Sequence, residues 1–103
     1  MKLPEKINSK YQYVETINIK ELGIRKKIDV FITKNIKDEN SILFYVTQKS
    51  RFLQKDVDKL EEINTVILSN IQEQIKEKVI LIESPLCSKA KTKLEELDWT
   101  IFI

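Results

Sequence analysis

The chain has 103 residues, 42% hydrophobic and 33% charged, enough for one domain, 1–103, that on folding buries roughly 60–70% of the surface its unfolded form exposes. Charges of both signs are interspersed and leave a net +2, without the basic excess that announces nucleic-acid binding, although a local patch stays open. One cysteine, Cys87, and no histidine exclude an internal disulfide, a four-cysteine zinc site and every His-dependent triad or metal site, so any metal must be a hard cation held by carboxylates and carbonyls.

Residues 1–10 hold no apolar stretch of signal-peptide type, and no apolar run approaches the ~20 residues that span a bilayer. A cytoplasmic protein without a membrane partner is therefore expected. Tyr11, Tyr13, Ile17 and Ile19 alternate with polar residues, the period of a half-buried strand. Glu21-Leu22-Gly23 carries the only glycine and reads as the turn into a second strand, Lys27 to Lys34. Asn35 to Asn40 is a polar hairpin loop. The third strand, Ile42 to Val46, is apolar at five consecutive positions and so belongs in the middle of a sheet with both faces covered.

From Asp56 the period changes. Val57, Leu60, Ile63, Ile67, Ile71 and Ile75 recur every three or four residues, the stripe of one long amphipathic helix, although Thr65-Val66-Ile67-Leu68 also suits a short strand. Val79 to Ile82 reads as a buried strand. Ser84-Pro85 has the chemistry of a helix start, with a capping side chain and a proline where no N–H is needed. That helix is expected to end near Leu97, and Trp99 to Ile103 closes the chain as a strand. The expected fold is α/β, a mixed five-stranded sheet in the order β-β-β-α-β-α-β with helices covering its faces.

Asp29 in Lys27-Ile28-Asp29-Val30, Lys49 in Thr47-Gln48-Lys49-Ser50-Arg51, and the tail from Val79 through Pro85 and Ala90 to Trp99 together resemble the core of the PD-(D/E)xK nuclease superfamily. That superfamily includes restriction endonucleases and archaeal Holliday-junction resolvases. The resemblance covers roughly Tyr11 to Ile103 and implies a restriction endonuclease-like core. It also implies an Asp on the second strand and an acid-x-Lys motif ending the third, with Mg²⁺ or Mn²⁺ between the two carboxylates. Asp29 matches the first acid, and thereby the metal ligand and a catalytic residue, and Lys49 matches the catalytic lysine. Thr47 stands where the second acid belongs and brings no negative charge. Glu15, Asp56 and Asp58 are the acids available to replace it by migration.

Two functions follow from the resemblance. One is a non-catalytic accessory or structural subunit of a DNA- or RNA-processing assembly, a pseudo-nuclease that needs no cofactor and binds a larger protein subunit. The other is a metal-dependent nuclease acting on branched or single-stranded nucleic acid through a rearranged site. In either case Lys49, Arg51 and Lys55 are candidate nucleic-acid contacts. Trp99, Ile101, Phe102 and Ile103, an apolar strand, are candidate partner contacts, and a homodimer is open. Cys87, in the first turn of the last helix, reads as a structural or incidental thiol.

Overall fold

The computed structural model describes residues 3–103. Its elements are β1 (Gln12–Ile17), a 3-10 turn (Ile19–Leu22), β2 (Ile28–Lys34), β3 (Asn40–Val46), α1 (Gln54–Leu68), β4 (Glu77–Ile82), α2 (Ser88–Glu96) and β5 (Trp99–Phe102). The strands form one sheet in the order β1-β2-β3-β4-β5. β1, β2 and β3 make an antiparallel meander, and β4 and β5 add parallel to it through helical crossovers. The fold is therefore α/β with a mixed five-stranded sheet, as the periodicities predict.

Both crossovers step the same way along the sheet, and right-handed crossovers then deliver both helices to one face. That face is the larger core. Val30, Ile32, Ile42, Phe44, Val46, Ile80 and Ile82 from the strands meet Val57, Leu60, Ile63 and Ile67 of α1 and Ala90 and Leu94 of α2. The alternate residues, Phe31, Leu43, Val79 and Leu81, point the other way and pack under Leu3, Ile7 and Tyr11. Residues 3–11 thus cover the second face without a helix. Their turns are closed by hydrogen bonds from the Ile7 N–H to Pro4 and from the Tyr11 N–H to Ile7. β3 has both faces covered, which is why its five central positions are all apolar.

The only glycine sits where a left-handed residue is required. Gly23 has φ 80° and ends the 3-10 turn, its N–H donating to the Lys20 carbonyl. Other residues reach that region only at a cost.

Ile19, expected in the first strand, falls in the 3-10 turn after β1, and two helix boundaries also differ from the sequence expectation. α1 stops at Leu68, and Ile71 and Ile75 pack against the core from an irregular segment. Ser69 and Asn70 end the helix, because both side chains donate to the Val66 carbonyl at 2.8 Å. These local bonds compete with another turn. α2 begins at Ser88, with Cys87 as its N-cap, and not after Ser84. Residues 84–87 are instead tied to residues 48–52. The Ser84 hydroxyl donates to the Gln48 carbonyl, the Phe52 N–H donates to Pro85 and the Cys87 N–H donates to Phe52.

No helix among the described residues is long and apolar enough to cross a membrane.

Candidate functional site

Alternation along β2 turns Asp29 to the face of Phe31, beneath which residues 3–11 pack, but at the end of the strand they leave uncovered. Its partner across the ladder is Tyr45, not Thr47. The Tyr45 hydroxyl in turn donates to the Glu83 carboxylate, at the end of β4. Glu83, burial and the charge of Asp29 together push the Tyr45 phenol up to about 12. This end of the sheet therefore gathers Asp29, Tyr45 and Glu83 from three adjacent strands. Thr47 lies one step beyond β3, exposed, beside Glu83, whose N–H donates to the Val46 carbonyl.

The acids proposed to migrate are committed elsewhere. Asp56 accepts the Leu53 N–H at 2.8 Å at the first turn of α1, a cap that Leu53 has no side-chain oxygen to reciprocate. Asp58 pairs with Lys93 of α2. Glu15 sits exposed at the bulge on β1, opposite Ile32. The implied Mg²⁺ or Mn²⁺ does not fit these residues. Asp29 has no second free carboxylate beside it, and among the described residues no group of three or more His, Cys, Asp or Glu side chains is placed to hold a metal ion.

Lys49 is exposed in the loop that leads to α1 and lines neither of the hollows that flank it. One hollow, of about 660 Å³, lies between the 3-10 turn and the start of β2 and is lined by Lys20, Lys26, Lys27, Asp29 and Thr47 among others. The second, of about 490 Å³, lies at the start of α1 and is lined by Lys26, Gln48, Ser50, Arg51, Leu53, Lys55, Asp56 and Lys59. Lys26 lines both, so the two hollows adjoin at this side chain, and the pair is termed the Lys26 groove. It carries six cations against two carboxylates, a net +4 in a chain whose total is +2. Lys59 pairs with Glu62 at 3.4 Å. Lys20, Lys26, Lys27, Arg51 and Lys55 form no ion pair among the described residues.

The charge of Arg51 also reaches Cys87. The backbone N–H groups of Ala90 and Lys89 at the start of α2, with the charges of Arg51 and Lys89, hold this thiol below its ordinary value. Of the nucleic-acid contacts expected from sequence, Arg51 and Lys55 meet in the groove, and Lys49 stands apart. Lys20, Lys26, Lys27 and Lys59 were not singled out by the sequence. Their only signal there is charge, and a chain with sixteen lysines supplies that everywhere.

At the far edge of the sheet, Trp99 is buried at 5% exposure. Its ring meets Phe44 edge-on at 5.4 Å. Its Nε1–H donates to Glu61 Oε2 at 2.7 Å, and Lys78 reaches the same oxygen at 3.4 Å. Trp99 is thus a core residue. Ile101 and Phe102 are half-buried, one against each core, and Ile103 is 63% exposed. At the start of β4, next to Lys78, Glu77 is held by the Tyr11 and Thr100 hydroxyls at 2.9 Å and by Asn35 Nδ2 at 3.1 Å. Burial, together with the Glu77 contact, raises the Tyr11 phenol far above its usual range.

No family model, curated protein or solved structure matches this chain.

Proposed function

We propose that the chain is a non-catalytic, nuclease-fold subunit of a DNA- or RNA-processing assembly that grips the phosphate backbone in the Lys26 groove beside a larger protein subunit. The nuclease-fold part of this reading is supported by the order β-β-β-α-β-α-β and by Asp29 at the second position of β2. The absence of catalysis is supported by Asp29 having no free acid as a partner. Thr47 supplies only a hydroxyl, and Glu83 is engaged by Tyr45.

The observation that carries the reading is charge segregation. With a net +4 in the groove, the rest of the molecule sums to −2. Cations gathered in a concave strip, five of them without an ion pair among the described residues, match a chain of phosphates and attract it over about a Debye length. Binding of this kind weakens linearly in log–log with salt, with a slope of about −0.9 per phosphate neutralised on duplex DNA.

Fluorescence anisotropy with labelled nucleic acid across a salt series tests the proposal. Lys26→Ala, at the junction of the two hollows, is expected to weaken binding and to make the slope shallower by about one. Lys91→Ala, on the exposed side of α2, leaves both unchanged. Binding that is absent, or insensitive to salt and to Lys26, overturns the proposal.

A further inference from the structure

We propose that the hollow of about 480 Å³ between the β2–β3 hairpin and the start of β4 binds a small organic anion with an apolar body, its charge met by Lys10, Lys37 and Lys76 and its body laid against Ile36. Small-molecule sites run from about 300 to 1,000 Å³, and an inorganic anion alone would leave most of this space unfilled. The carboxylates in the hollow are engaged and the ammonium groups are not. Tyr11 and Thr100 donate to Glu77 Oε2 at 2.9 Å, and Asn35 donates to Glu77 Oε1 at 3.1 Å and to Glu39 Oε1 at 3.3 Å. Lys10, Lys37 and Lys76 are exposed and form no ion pair among the described residues. Lys10 is steadied over the Phe102 ring at 5.3 Å.

The walls are fixed in advance, which spares a ligand the entropy of ordering them. Asn35 Oδ1 accepts the Lys37 and Glu39 N–H groups at 3.0 Å and locks the hairpin loop. The Asn35–Glu77 bond ties that loop to β4, and the Lys76 N–H donates to the Asn40 carbonyl at 2.8 Å. Buried Tyr11 keeps its proton far beyond the ordinary phenolic range, the kind of perturbation that marks functional clefts. Ile36 supplies the apolar half. It is 84% exposed, more than any other large apolar side chain among the described residues, and packs into neither core. The hydrogen bonds of the loop run through Asn35, Asp38 and Glu39 and ask nothing of the Ile36 side chain. The Lys26 groove lies at the other end of β2, whose seven residues span about 20 Å.

Titration of the ¹⁵N-labelled chain with phenyl phosphate, followed amide by amide, separates the two places. Saturable shifts are expected at residues 35–39 and 76–77, and Lys26→Ala is expected to leave them in place. Inorganic phosphate, which lacks the apolar body, should bind there about tenfold or more weakly. The double variant Ile36→Ser, Lys76→Ala changes two exposed positions and is expected to keep the circular dichroism of the parent while losing about tenfold or more in affinity. Shifts that never saturate, or that stay confined to the Lys26 groove, overturn the site. Equal affinity for the two phosphates, or for the parent and the double variant, overturns it as well.

Discussion

Thr47 follows a strand flanked on one side by Asp29 and on the other by Glu83, and its hydroxyl is the reason the sheet end holds two carboxylates and not three. A hard divalent cation is bound by negative oxygens in number, so the missing charge decides the chemistry more than the shape does. Thr47→Glu is expected to tighten Mn²⁺ binding about tenfold or more, measured by calorimetry, and Asp29→Asn added to it returns the affinity to the parent value. No gain would mean that the side chain at position 47 does not face the same side of the sheet as Asp29. Asn64 is a different residue-scale exception, with its Oδ1 buried in the core face of α1 and without a hydrogen-bond partner among the described residues. A desolvated carbonyl of this kind costs about 1–3 kcal/mol.

At the scale of elements, α1 depends on its two ends. Its first turn is capped from within, by Asp56 reaching back to the Leu53 N–H, while Ser69 and Asn70 close its last turn. The sequence reading starts the helix near Asp56 but carries it through Ile75, because the four-residue apolar spacing continues there. Ile71 and Ile75 do pack against the core. They do so from an irregular segment, and periodicity alone does not separate a helix from a loop that happens to bury every fourth residue. Asp56→Ala is expected to cost about 1 kcal/mol, read from the denaturation midpoint. Asp58→Ala removes only an exposed pair with Lys93 and should cost less than about 0.5 kcal/mol. Equal losses would mean that the cap contributes nothing. The same contrast explains why neither acid is free to move into a metal site.

Over the whole molecule, alkaline pH tests two distant contacts at once. The unfolded chain releases its phenolic protons near 10, whereas the folded chain holds that of Tyr45 to about 12 and that of Tyr11 beyond it. Above the unfolded value the unfolded state therefore binds fewer protons than the native one, and stability falls as pH rises from 10. It is complete below 10 and declines through the window to 12. Denaturation midpoints across this range are expected to drop, and Glu83→Gln is expected to lower the Tyr45 phenol in ultraviolet titration. A flat profile would mean that neither hydroxyl is held by its carboxylate in solution.

Composition and periodicity determined the class of this protein from the chain alone. Apolar alternation, the continuous run at Ile42 to Val46 and the helical stripe from Val57 are local consequences of which faces must leave water, and they specify an α/β sheet with β3 at its centre. Only the tertiary structure decided which charges stand together. Lys20, Lys26, Arg51 and Lys55 come from separate segments, and Asp29 stands beside Tyr45, which holds Glu83, only through the ladder register. Burial leaves a pattern in sequence because it repeats along an element. A groove of charges leaves none, because each member is an ordinary surface lysine until the fold sets it beside the others.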